Sequence, residues 1–201
     1  MYEVLEIPAL APRSIVLAPP LSDEEFERMC AQASLGFLER SKEGTITVNA
    51  PARSMTSDGS SEITEQLRAW WKKHRLGRVY DSSAGFFLPH GSMLSPDAAY
   101  VTAKQIAGLT RDQRAHFPRL APVFIVELRS ESDRLAEVAE KMVKWIANGV
   151  EQPWLIDPDQ KQVHLYSQSS APRVESGSSV AGSGPVDGFV LDLEEVWRCY
   201  E

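Results

Sequence analysis

The chain has only two cysteines, Cys30 and Cys199, near opposite ends of its 201 residues. They make no metal-type pair and no disulfide framework, and read as reduced thiols of a cytoplasmic protein. No apolar run reaches the length that crosses a bilayer, and the first residues lack a basic segment followed by an apolar core. Positive charge is also short: the formal net charge is −7. That lowers the expectation of a general nucleic-acid binder, yet an acidic enzyme can act on DNA where carboxylates gather a metal and a local basic strip holds phosphates. There is no Gly-rich phosphate loop, no Gly-x-Ser-x-Gly elbow, no Cys-x-x-Cys and no internal repeat.

What is present is an ordinary globular composition, 43% hydrophobic and 24% charged, with enough length for one domain with a sizeable core. Residues 1–21 read as an irregular or extended N-terminal arm, and residues 22–201 as a single domain. Ser22 with Glu25 makes a capping box for a helix bearing Phe26, Met29, Cys30 and Ala33. Two short runs joined by Lys42-Glu43-Gly44 predict a hairpin. Residues 54–61, rich in Ser, Gly and Asp, read as a loop feeding a helix from about Ser61 to His74. Strands follow at Arg78–Tyr80, Ala84–Leu88 and Ala98–Val101, and a charged helical stretch runs from Lys104 to about His116.

The stretch from Val123 to Asp157 organises the rest. An apolar run ending in an acid, Val123 to Leu128, precedes a polar break, an amphipathic helix over about 133–148, and a second apolar run, Trp154 to Asp157. This reads as a strand–helix–strand unit with buried strands. Val163–Tyr166 then pairs back on Trp154–Ile156 as a hairpin. Residues 167–187 read as a loose loop with one edge strand near Arg173-Val174-Glu175, before Phe189–Leu191 and a terminal segment close the fold.

Three acids stand out by placement. Glu127 ends a buried strand, where a carboxylate is costly unless paired, protonated or metal-bound. Asp97 precedes a strand, and Glu62 sits in the first turn of a helix. Each also has a plain structural role: a salt bridge at a sheet end, a Pro-Asp turn, and a favourable macrodipole contact. On the following helix, Lys144 lies roughly 150° from the centre of the apolar face and Lys141 roughly 90°. Lys141 can therefore reach over the sheet end, although spacing alone favours an i,i+4 pair with Glu137. The basic run Arg68, Lys72, Lys73, His74, Arg75 and Arg78 reads as a solvated face, with Trp70 and Trp71 in the core, or as the lining of a nucleic-acid groove.

Ser95-Pro96-Asp97, Val126-Glu127-Leu128-Arg129-Ser130, Lys141-Met142, Asn148-Gly149-Val150 and Trp154-Leu155-Ile156-Asp157-Pro158, in this order, resemble the Uma-type restriction-endonuclease family of the PD-(D/E)XK nuclease superfamily. Gly77–Ser83 and Gly188–Leu193 extend the likeness. The resemblance implies an α/β (α+β) fold with a restriction-endonuclease-like core, a central mixed β-sheet flanked by helices. It implies that Asp97 and Glu127 hold Mg²⁺, with Mn²⁺ an alternative, that Glu62 is an additional acid beside the metal, and that DNA is the substrate. A homodimer is expected on the same ground. Two departures stand out: Arg129 fills the usual lysine slot, with Lys141 taking over and Arg129 left as a phosphate contact, and Glu131 stands where proline is common.

The chemistry suits these residues. Phosphodiester hydrolysis needs a hard cation on oxygen ligands and a nearby positive charge. Arg129 stays protonated and is no base. The competing reading is a nuclease-like domain without catalysis that binds DNA or a protein, favoured by the acidic charge and the displaced lysine and opposed by the retained acids. A hydrolase of another phosphate ester would show a small closed pocket in place of an open groove.

Overall fold

The computed structural model describes residues 13–33 and 36–201. Most of the expected N-terminal arm, residues 1–12, lies outside that range. Arg13–Ile15, within the arm, forms a strand, β1. Helix α1 (Asp23–Gln32) begins with the expected capping box of Ser22 and Glu25. The hairpin follows as β2 (Phe37–Arg40) and β3 (Ile46–Asn49).

Helix α2 spans Ser54–His74 and starts seven residues earlier than composition suggested. The Ser/Gly/Asp stretch is helical because it must be thin. A Cβ on Gly59 would lie 3.0 Å from the Tyr200 ring and 3.1 Å from Leu128, so small residues let the helix close on the sheet. Tertiary packing here outweighs a weak local propensity.

The strands β4 (Arg78–Asp81), β5 (Phe86–Phe87), β6 (Met93–Leu94) and β7 (Ala98–Val101) come next. Helix α3 covers only Ala103–Ala107, capped by Thr102 and Gln105 and ended at Gly108. The expected continuation to His116 is a chain of turns, because Arg111 to Ala115 are exposed and have no apolar face to bury. Strand β8 (Phe124–Leu128), helix α4 (Leu135–Ala147) and strand β9 (Gln152–Asp157) realise the strand–helix–strand unit, with β8 and β9 parallel. Then come β10 (Gln162–Leu165), β11 (Arg173–Glu175), an unanticipated β12 (Ser179–Ala181), β13 (Val190–Asp192) and α5 (Leu193–Arg198).

The central sheet has six strands in the order β11-β10-β9-β8-β7-β4. Every residue of β8 is buried, because helices cover both of its faces. Phe124, Val126 and Leu128 pack with Ile63, Leu67 and Trp70 of α2 and with α5. Ile125 packs on the other side with Met142 and Trp145 of α4. Strand alternation puts Glu127 on the side of Ile125, beneath α4.

A second sheet, β1-β3-β2-β6-β5, closes over one end. Phe26 of α1 fills its core with Leu38, Ile46, Phe87 and Met93. Arg40, 5% exposed, and Arg119 both pair with Asp23 and fasten α1 to this sheet.

Candidate active site

The two acids of the central sheet meet by register. Strands β7 and β8 are antiparallel with Ala98 opposite Val126. Asp97 directly precedes Ala98 and Glu127 directly follows Val126, so the two acids lie at the same end of this strand pair. The Leu128 N–H donates to Asp97 Oδ2 at 2.7 Å and fixes that carboxyl. Glu127 is 5% exposed. Its Oε1 accepts the Trp145 indole N–H at 2.7 Å and lies 2.9 Å from Lys141 Nζ.

Lys141 therefore turns inward. Its ammonium contacts both oxygens of Glu127, donates to the Ser95 carbonyl at 2.9 Å and sits 2.9 Å from Glu39 Oε1. The i,i+4 pair with Glu137 does not form; Glu137 approaches Arg134. Glu39, carried in by β2 of the second sheet, also accepts the Ser95 N–H at 2.9 Å. It was missed in the sequence because only the hairpin alternation marks it, and nothing local links β2 to β8.

Two carboxylates, Glu127 and Glu39, thus hold one ammonium, and Asp97 stands beside them. Burial pushes Glu127 up to about 8; Lys141 pulls against that shift, and Asp97 and Glu39 add to it. Burial likewise raises Asp97, opposed by the Leu128 N–H and by Lys141. Burial disfavours the charge on Lys141, but Glu127 and Glu39 outweigh it and hold the ammonium above the ordinary lysine range. Ionised fully, the cluster carries more negative charge than Lys141 balances.

The cluster lies in the wall of an open groove of about 1880 Å³. That exceeds the usual ~300–1,000 Å³ of small-molecule sites. The groove is bounded by the β2–β3 hairpin, by α2 and by α4. The small closed pocket of the phosphate-ester alternative is not what the fold builds here.

Glu62 and Arg129 stand elsewhere. Glu62 Oε1 accepts from Gln66 Nε2 at 2.9 Å, and Gln66 in turn bonds the Asp192 backbone. The acid that α2 turns into the groove is Glu65. Arg129 Nη1 sits 2.8 Å from buried Asp157 Oδ1 and 3.0 Å from Asp159 Oδ2, and its Nε donates to the Asp133 carbonyl, so its guanidinium is committed to the sheet end. Among the described residues, no three His, Cys, Asp or Glu side chains stand as a preformed metal set.

The model of the Uma2 family, described as "Putative restriction endonuclease", matches residues 23–194. The chain belongs to the Uma2 family. A solved structure from Anabaena variabilis, titled as a putative nuclease belonging to DUF820, superposes with a TM-score of 0.71 at 17% identity, covering 90% of this chain and 100% of that one. At that identity the likeness shows the fold, and it bears out the restriction-endonuclease-like core with its mixed sheet. No curated protein matches the sequence. Among the described residues, no helix of this Uma2 protein is long and apolar enough to cross a membrane.

Proposed function

We propose that this Uma2 protein is a Mg²⁺-dependent endonuclease hydrolysing DNA phosphodiester bonds, with Asp97, Glu127 and Lys141 as its working residues. The observation that carries the reading is the gathering of Asp97, held by the Leu128 N–H, with Glu127 and the Lys141 ammonium that contacts it, in the wall of an open groove.

The donor set fits a hard divalent cation. Asp97 and Glu127 offer carboxylate oxygens at one sheet end, and burial makes both resist ionisation despite Lys141. Bound there, Mg²⁺ would supply charge neutralisation at the scissile phosphate and a more acidic water. The Leu128 N–H and the Trp145 indole orient the two carboxyls. Lys141 acts as a cation and not as a base, because Glu127 and Glu39 keep its proton in place. It can orient the nucleophile and offset charge developing on the phosphate.

The test is calorimetric titration of Mg²⁺ and Mn²⁺ into the wild type and Asp97→Ala, followed by DNA cleavage with each metal. Binding and cleavage that both vanish in the variant support the reading. A wild type that binds neither metal, with DNA absent and present, overturns it in favour of a non-catalytic module.

A further inference from the structure

The two long walls of the groove differ in chemistry. Along β2, exposed Phe37 and half-buried Glu39 alternate with buried Leu38 and Arg40. Leu38 and Ile46 face the core of the second sheet. The opposite face of the hairpin, with Phe37 paired to Asn49 and Glu39 to Thr47, lines the groove. Phe37 is 45% exposed. It stands two strand residues, ~7 Å, from Glu39 on the same face, and Glu39 touches Lys141. An aromatic ring is thus held open to solvent close to the catalytic cluster, with an amide beside it.

The facing wall belongs to α2. Ser57, Ser61, Thr64, Arg68 and Lys72 recur at helical spacing, and all line the groove. The stripe runs ~22 Å at 1.5 Å per residue. It offers hydroxyls and two cations, groups that bond phosphate oxygens, although Glu65 shares this wall and Arg68 Nη1 also donates to the Val79 carbonyl at 3.3 Å. Among the described residues, Lys72 makes no ion pair.

We infer that the groove takes a single strand of DNA, its bases against the Phe37–Asn49 face of the hairpin and its phosphates along the α2 stripe. The inference rests on the nuclease reading of the same groove and names the form of its substrate. A base-stacking ring on one wall and a phosphate rail on the other is how single strands are held without sequence readout. Charge points the same way. Carboxylates outnumber Lys and Arg along the groove, which disfavours a duplex carrying one negative charge per ~1.7 Å more than a strand carrying one per ~3.4 Å.

The test is fluorescence anisotropy with a labelled oligothymidylate and, separately, a blunt duplex of equal length, in EDTA so that neither is cut. Preference for the single strand by tenfold or more is expected. Phe37→Ala should weaken that binding by ~5- to 150-fold, the effect of losing one base–aromatic stack, and Phe37→Trp should restore it. Lys72→Ala should flatten the slope of log affinity against log salt by about 0.7, one single-strand phosphate contact, whereas Phe37→Ala leaves the slope unchanged; circular dichroism checks that each variant is folded. Equal or tighter binding of the duplex, or no effect of Phe37→Ala, overturns the inference while the nuclease reading stands. Binding of neither form overturns both.

Discussion

Glu39, on the second sheet, lies 2.9 Å from the ammonium of Lys141 on α4. The contact joins two parts of the fold that share no strand, and it sits beside Ser95, whose N–H the same carboxylate accepts. Glu39 therefore positions both Lys141 and the Ser95-Pro96-Asp97 segment. Glu39→Gln keeps an acceptor for Ser95 but removes the charge. Cleavage or metal affinity should fall by ~10- to 100-fold, the range for groups that orient metal ligands. Because Glu39 also raises Glu127, the pH profile should move to lower pH in the variant. An unshifted profile in steady-state kinetics would assign Glu39 a purely structural role.

Lys141→Met removes the ammonium on Glu127 while keeping most of the length of the side chain. The buried carboxyl then loses its strongest opposing charge and holds its proton to higher pH. Cleavage should drop by about 10² or more, the scale of a lost charge-stabilising donor. Lys141→Arg should rescue little, since the planar fork cannot meet Glu127, Glu39 and the Ser95 carbonyl as a compact ammonium does. Single-turnover cleavage with saturating metal reads both variants.

Metal affinity should separate the two acids singled out in the sequence beside Glu127. Asp97→Asn should lose Mg²⁺ binding, because its carboxyl is held at Leu128, next to Glu127, in the groove wall. Glu62→Gln should keep it, because that side chain is turned to Gln66 and does not line the groove. Calorimetry on the two variants decides the matter, and loss of binding in Glu62→Gln would return that residue to the site.

The strand–helix–strand unit was legible because its signals are local: β-branched runs of strand length on either side of one amphipathic helix. Asp97 before β7 and Glu127 on β8 were legible as positions, but the bond from the Leu128 N–H to Asp97 that draws them together was not. Lys141 was misleading, because helical spacing alone favours an exposed pair with Glu137 over a reach across the sheet end. Only the depth of Glu127 beneath α4 decides between them. Glu39 was invisible, since its partner is 102 residues away and on another sheet. The two-residue β6 and the short β12 are too brief to carry a period, and the expected strand over Ala84–Leu88 shrinks to the two residues of β5.

Stability without metal should depend on pH through Glu127. Its folded value, about 8, lies above the ordinary 4.5, so the folded protein keeps a proton that the unfolded chain has already lost. Stability is therefore greatest below the ordinary carboxylate range and declines as pH climbs from about 4.5 towards about 8. Thermal melts in EDTA across that window should show the decline. Glu127→Gln should flatten it, and added Mg²⁺ should offset it in the wild type through preferential binding to the folded state. A wild-type slope identical to that of Glu127→Gln would count against a buried, proton-holding Glu127.

Gly59 carries the last expectation. The early start of α2 was unreadable from composition because Gly59 and its small neighbours look like a loop, yet here they set how closely α2 lies on β8. A Cβ at this position already meets the Tyr200 ring at 3.0 Å and Leu128 at 3.1 Å, and the two γ-methyls of valine go further into that seam. Gly59→Val should cost about 1–3 kcal/mol through overpacking, which lowers Tm by roughly 2–12 °C for a chain of this size. Leu128 adjoins Glu127, and its N–H holds Asp97, so a helix pushed outward should also weaken Mg²⁺ binding. Gly177→Val is the control, since the nearest atom to its Cβ is 4.0 Å away and the residue lies far from this seam in sequence. Equal melting temperatures for the two variants would show that α2 has room to spare and that its glycine is there for another reason.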